Sequence, residues 1–315
     1  MHEQRICLIG GSGFIGGYIA EELARAEAAI TIATRNRDRH KAPLIVLPKT
    51  ELVSTNVHHP LALEELLRGH DAVVSMVGIL HGSCAAFETA HLHLLEKIIA
   101  GCKKTGIRRI VHISALGAAP DAPSDYQKTK GLAEAALQAS GLDWTILRPS
   151  VVFGQGDSFL TLFAGLLKTL PALPLAGADT RFAPIWAGDV ARAVAASLRN
   201  KATIGQKLDL AGPRDYTLAE LVRYVGRLTG HPRPVFGLPP GLAMLQAGIM
   251  EMLPGPTLMS RDNVRSLQVD NVSPHPFPSA LLGFEPVALE TVAPGYLGCA
   301  EINFVLSRYR ETAAR

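Results

Sequence analysis

Arg5-Ile6-Cys7-Leu8-Ile9 runs directly into Gly10-Gly11-Ser12-Gly13-Phe14-Ile15-Gly16-Gly17, and a helical pattern follows through residue 28. Four consecutive apolar residues without polar alternation describe a strand buried on both faces. Gly10, Gly13 and Gly16 stand three apart. In a strand-to-helix turn, that spacing brings backbone N–H groups and the positive end of a helix dipole to the place where a dinucleotide pyrophosphate can sit. A Cβ inside the turn would block the approach of phosphate. A glycine triplet alone is a weak signal; the strand before it and the helix after it supply the needed context. Ser12, Phe14 and Ile15 fill the same turn and are expected to touch the cofactor with the glycines.

Outward from this turn, strand-like runs at 5–9, 30–34, 51–54, 72–77, 109–113, 144–147 and 207–210 alternate with helical patterns at 14–28, 61–68, 87–105 and 126–140. Such alternation predicts an α/β protein with a doubly wound, Rossmann-type parallel sheet. Ligands of such sheets bind beyond the carboxyl ends of the strands. The residues to read are therefore Asn56 and Val57 after the third strand, Val77 and Gly78 after the fourth, Ser114 after the fifth, and Pro149 and Val151 after the sixth. Beyond Gly154, prolines and glycines become frequent, which marks a smaller C-terminal lobe. The expected division is a core over residues 1–153, with 184–212 returning to it, a lobe over 154–183 and 213–298, and a tail over 299–315. Thr217 and Glu220 read as a capping box, and Asp189 as the cap of a helix over 190–198.

The chain has 315 residues and a net charge of +3, from 31 basic and 28 acidic side chains, which gives no electrostatic case for nucleic acid. Charged residues make up only 19% and mean hydropathy is +0.19, a composition that suits a partner or membrane surface. Cys7, Cys84, Cys102 and Cys299 are scattered, as in reduced intracellular proteins. A first strand at Arg5 leaves no room for a leader, and no run of eighteen apolar residues occurs. The expectation is a cytoplasmic protein, at most peripheral on the cytoplasmic face of the inner membrane. His91 and His93, two apart on a helix, face different ways, so no metal is expected; His81 reads as a surface residue. The apolar stretch 241–253 would span about 20 Å as a helix, too short to cross a bilayer. It reads either as a buried helix of the lobe or as a docking surface for a membrane or a hydrophobic subunit.

Two clusters bear on chemistry. The second strand ends Ala33-Thr34-Arg35, with no acid to bond ribose hydroxyls, and Arg37, Arg39, His40 and Lys41 follow. Arginine's planar fork suits a phosphate, so NADP(H) is favoured over NAD(H), with Arg35 the leading contact and Arg37 or Arg39 in support. Asn56 suits an adenine contact or a turn equally. Twelve residues after Ser114 comes Tyr126-Gln127-Lys128-Thr129-Lys130. Tyr126 and Lys130 share a helix face, where the ammonium is expected to lower the phenol's pKa. Tyr126 would then exchange a proton with a substrate oxygen that Ser114 also bonds, while Lys130 holds the nicotinamide ribose.

These motifs, with the stretch 147–154 (LRPSVVFG), resemble the extended and atypical short-chain dehydrogenase/reductases, relatives of the NAD-dependent epimerase/dehydratases. SALGAAP, RFAPIWAGDVARAV, LAGPRDYTLAELV and LPGPTLMSRDNVRSLQVDN resemble one branch, the NADPH-binding accessory subunits of respiratory complex I and their bacterial relatives. The resemblance implies tightly held NADP(H) and a structural or assembly role beside the quinone-binding region. Members not known to turn over a substrate also keep the Tyr-Lys pair. Asn56 stands where the family commonly has Asp, and His58, His59 and His81 are unusual. Two functions therefore compete. One is a cofactor-stabilised structural or assembly factor linked to complex I or quinone metabolism. The other is an NADPH-dependent oxidoreductase or epimerase-like enzyme acting on an apolar carbonyl substrate, since the loops after strands four to six are small and apolar.

Overall fold

Successive residues of the first strand feed two different cores, which sets the layering of the molecule. Ile6 and Leu8 pack into one apolar cluster, while Cys7 and Ile9 pack into another on the opposite face. The computed structural model describes residues 4–35, 46–252 and 258–298. Its central sheet contains β1 (Arg5–Ile9), β2 (Ala29–Thr34), β3 (Thr50–Ser54), β4 (Ala72–Ser75), β5 (Arg109–Ile113), β6 (Asp143–Pro149) and β7 (Gln206–Leu210). They are parallel and run in the order β7-β6-β5-β4-β1-β2-β3. The winding reverses between β1 and β4, and this opens the crevice at their carboxyl ends.

Its helices include, in chain order, α1 (Phe14–Arg25), α2 (Pro60–Leu67), α3 (Leu94–Thr105), α4 (Asp125–Gln138), α5 (Phe159–Thr169), α6 (Ala187–Arg199), α7 (Leu218–Leu228), α8 (Pro240–Met252) and α9 (Arg261–Ser266). α1 and α6 cover one face of the sheet through Ile19, Leu23, Val190 and Val194. α2, α3 and α4 cover the other through Leu63, Leu67, Ile98 and Leu137. A third core joins Phe153, α5, α7 and Leu289 in the C-terminal part.

Two expectations need correction. The pattern over 87–105 is not one helix. It comprises a short turn at Cys84–Phe87, a π-helical segment at Glu88–His93 and then α3. Asp189 is not a cap: α6 starts two residues before it, with Trp186 at the cap position. Asp189 is fully buried, accepts a hydrogen bond from the Val287 backbone N–H at 2.6 Å, and pairs with Arg192 at 3.1 Å. It ties the chain after residue 285 to α6. The Thr217–Glu220 capping box is present, with both reciprocal hydrogen bonds.

α8 has two apolar faces. Ala243 and Ala247 lie inward against Ala176 and Val264, with Met244 partly packed beside them. Leu242, Leu245, Ile249 and Met252 lie outward, each more than half exposed. Their spacing of three, four and three residues forms one stripe along the helix. Among the described residues, no helix is long and apolar enough to cross a membrane.

Candidate functional site

The glycine turn has the shape that a bound pyrophosphate needs. Gly10 adopts φ +93°, and a Cβ there would meet the Val77 backbone nitrogen at 3.0 Å. Gly16 is buried where a Cβ would fall 2.4 Å from the Gly11 carbonyl oxygen, so the start of α1 lies directly on the turn. Gly13 is exposed at the cap position of α1, and among the described residues no side chain caps the N–H groups of the first helical turn. These amides and the helix dipole fit a dinucleotide phosphate. Ser12, Phe14 and Ile15 are partly exposed on the same turn.

Around this turn the strand ends gather the other expected residues. Val57 and Val77 pack on the cluster beneath α2 and α3. Asn56 turns its side-chain oxygen back to accept from the His58 N–H at 3.0 Å, so that oxygen closes a turn. Arg35 is exposed at the end of β2; Arg37, Arg39, His40 and Lys41 lie outside the described residues. Gly78 lies over Lys130, with its Cβ position 3.5 Å from Nζ.

Ser124 caps α4 and sets Tyr126 and Lys130 one turn apart. Lys130 is buried and donates to the Ile113 carbonyl at 3.1 Å, with the Val77 carbonyl at 3.5 Å. Burial brings its pKa down to about 8, against the opposing pull of Glu134. Tyr126 sits edge-on to Phe87 and His91. The expected lowering of the phenol is reversed: burial pushes it up to about 12. The Lys130 ammonium is directed at backbone carbonyls, and the aromatic neighbours of Tyr126 offer no charge to stabilise a phenolate.

Ser114 departs further from expectation. Its hydroxyl donates to Glu134 Oε1 at 2.5 Å, and the residue is buried. Glu134, one turn beyond Lys130 on α4, also faces Arg148 at 3.4 Å and Lys207 at 3.6 Å. A serine hydroxyl has one proton to donate. Here that proton goes to the buried Glu134 carboxylate, which Arg148 and Lys207 also face. Ser114 is thus held by Glu134, while Lys130 is held by the Ile113 and Val77 carbonyls and Tyr126 packs against Phe87 and His91.

Three residues that shape the crevice were not anticipated. His91 is carried inward by the π-helical segment, whereas His93 faces solvent. Its Nε2 accepts from the Ile79 N–H at 3.2 Å, which leaves Nδ1–H to donate to Thr129 Oγ1 at 2.9 Å. Burial first, then Lys130, hold its pKa down to about 3. A neutral His91 contributes stability that is full above the unfolded value of about 6.5 and falls as the unfolded chain alone takes up a proton. Acid titration of the folded protein should therefore show a loss of stability beginning below pH 6.5. His91→Gln should make that part of the profile shallower without removing it, since buried His112 is held low in the same way, as followed by urea midpoints at pH 7 and pH 5.

Asp262 and Asn271 come from the stretch 258–273. Asp262 accepts from the Asp125 and Tyr126 N–H groups at 2.7 and 3.1 Å, and so anchors the start of α4. Asn271 Oδ1 accepts from Ser150 Oγ at 2.7 Å and from the Val151 N–H at 3.1 Å, while Nδ2 donates to the Leu116 carbonyl. The Leu116 N–H in turn donates to the Pro149 carbonyl. One segment thereby fastens the ends of β5 and β6 and the start of α4. Only long-range hydrogen bonding reveals these roles, because neither residue belongs to a local chemical motif.

Residues 10–162 match the NAD(P)H-binding family model. The mitochondrial 40 kDa subunit of NADH-ubiquinone oxidoreductase from Neurospora crassa is 26% identical over 294 residues, covering 92% of this chain and 78% of that protein. Subunit 9 of the NADH dehydrogenase [ubiquinone] 1 alpha subcomplex from Arabidopsis thaliana is 26% identical over 281 residues, covering 84% of this chain and 70% of that one. Among solved structures, a nucleoside-diphosphate-sugar epimerase from Staphylococcus aureus superposes with a TM-score of 0.75 at 19% identity, covering 94% of this chain and all of that one. The chain carries an NAD(P)H-binding domain in a Rossmann-type fold, and it is a homologue of these respiratory-enzyme subunits.

Proposed function

We propose that this protein is a cofactor-stabilised structural or assembly component of a complex I-type NADH-oxidising enzyme, peripheral to the cytoplasmic side of the membrane. The observation that carries this reading is Ser114. With its proton committed to Glu134, Ser114 would not supply a substrate oxygen at Tyr126 with the second donor that stabilises developing negative charge in carbonyl reduction. The bound nicotinamide would supply hydride chemistry in an active relative. In this chain, the Tyr126–Lys130 face serves to hold the nicotinamide ribose. The turn at Gly10, Ser12, Gly13, Phe14, Ile15 and Gly16 holds the pyrophosphate, with Val57, Val77, Gly78, Pro149 and Val151 around the rest of the dinucleotide.

NADP(H) is the better fit. Arg35 stands where an acid would bond a bare ribose, and it has no carboxylate partner among the described residues. The exposed stripe Leu242, Leu245, Ile249 and Met252 is the contact with a hydrophobic subunit of the larger enzyme. α8 carries no Lys or Arg and so lacks the basic polar face of a helix that lies on lipid.

A native gel of gently solubilised host membranes, probed for this chain and stained for NADH oxidation, tests the reading. Wild type and Tyr126→Phe should both co-migrate with the large NADH-oxidising band in equal amount. Leu245→Glu should remain folded and leave that band. Met244 is unsuitable for this test because it is partly packed inward. Migration of the wild type as a small species would instead support the alternative, an independent reductase of apolar carbonyl compounds.

A further inference from the structure

The edge of the sheet at β2 and β3 carries a pair of consecutive histidines with different surroundings. Parallel register sets Thr34 opposite Ser54, and the Thr55 N–H donates to the Thr34 carbonyl. Arg35 and the Asn56–His59 turn therefore leave the sheet side by side. His59 is committed, because its Nδ1 accepts from the Ala62 N–H and caps α2. His58 has its backbone held at both ends, the N–H by Asn56 Oδ1 and the carbonyl by Lys97 Nζ at 3.0 Å. Its ring makes no hydrogen bond among the described residues. The charged groups facing it are Arg35 from the end of β2 and Lys97 from α3, both cationic. No described carboxylate joins them. A partly exposed imidazole on a backbone held at both ends, with two cations for neighbours, at the ribose end of a dinucleotide crevice, has the donor chemistry of an anion site.

We propose that His58 is a second ligand of the adenosine 2′-phosphate beside Arg35, and that it makes NADPH affinity depend on pH. The proposal rests on the NADP(H) reading and goes beyond it by naming the residue and the proton. In the free protein, burial, then Lys97 and Arg35, hold His58 below its ordinary pKa. A phosphate dianion opposes those cations, so NADPH binding draws a proton onto the imidazole. NADH has no group to do so. Linkage then requires NADPH, and not NADH, to bind more tightly as pH falls. The phosphate's own second ionisation, near pH 6, acts in the opposite direction. The informative window is therefore above about pH 6.5.

Dissociation constants of NADPH and NADH, measured by calorimetry on the full chain between pH 6.5 and 8.5, decide the matter. A proton taken up on binding changes affinity up to about tenfold per pH unit. The NADPH constant is accordingly expected to rise about tenfold across the window, with the NADH constant flat within about twofold. His58→Gln should abolish the NADPH slope and leave the NADH constant unchanged. Arg35→Ala should weaken NADPH at every pH. If NADPH binds no more tightly than NADH at any pH, the NADP(H) reading falls and the proposal with it. If NADPH is preferred but His58→Gln keeps the wild-type slope, the proposal alone is overturned.

Discussion

Gly13→Asp is expected to abolish dinucleotide binding while leaving the protein folded and slightly more stable in the absence of ligand. Gly13 has ordinary backbone angles, φ −85° and ψ −178°, and a Cβ there would meet nothing closer than the Gly10 carbonyl at 3.5 Å. An aspartate fits this position and is a strong helix cap. It would accept from the first-turn N–H groups of α1 and contribute about 0.5–1 kcal/mol to the empty protein. The same carboxylate would occupy the place of the pyrophosphate and repel it. The expected loss of NADPH affinity is at least about 100-fold, and with it the roughly 2.7 kcal/mol of stabilisation that ligand at a hundred times its dissociation constant supplies. Thermal melts with and without NADPH read both effects: the variant should melt at or above the empty wild type and show no shift on addition of cofactor. Gly16→Ala makes the contrast, since its Cβ would strike the Gly11 carbonyl and lower stability even without ligand. A wild-type-sized NADPH shift in Gly13→Asp would mean that the cofactor does not rest on this helix.

The layering of the molecule and its cofactor turn were legible because short-range patterns carry them. β1 and β5 lie where continuous apolar runs placed them, and the other core strands differ by only a few residues at their ends. The burial that makes those runs apolar also ends at the turn. The site was legible in part. Tyr126 and Lys130 are four apart on one helix, and spacing alone brings them together. The partner of Ser114 was not legible because it is decided in three dimensions. Glu134 lies twenty residues away and reaches it only after α4 packs across β5 and β6. His91 was obscured for a related reason. Regular helical periodicity offers no sign of a π-helical segment, and without one His91 is only one of two nearby histidines. Asp262 and Asn271 act across more than a hundred residues, at a separation where local pattern carries no signal.

The largest stability effect is expected at Glu134, and it bears directly on what Ser114 does. Glu134 is almost fully buried, with Ser114, Arg148 and Lys207 around it. Removing one partner of such a cluster leaves the remaining charges without compensation, a loss of roughly 3–5 kcal/mol. Glu134→Ala should fall near the lower end, about 3 kcal/mol. Arg148 keeps the Ala118 carbonyl at 3.0 Å and Asp209 at 3.8 Å, and Lys207 can turn to solvent. Ser114→Ala removes one hydrogen bond to a charged acceptor and should cost about 1.5 kcal/mol. If the two residues act as one structural unit, their effects will not add, and the double variant should cost less than the sum of the single ones. Urea denaturation of the four proteins measures this coupling, and NADPH affinity should stay within about twofold of wild type in Ser114→Ala. An additive cycle, joined to loss of a measurable carbonyl reduction in Ser114→Ala, would instead place the hydroxyl in the crevice. It would restore the serine to a reaction, and the non-catalytic reading would lose the observation it rests on.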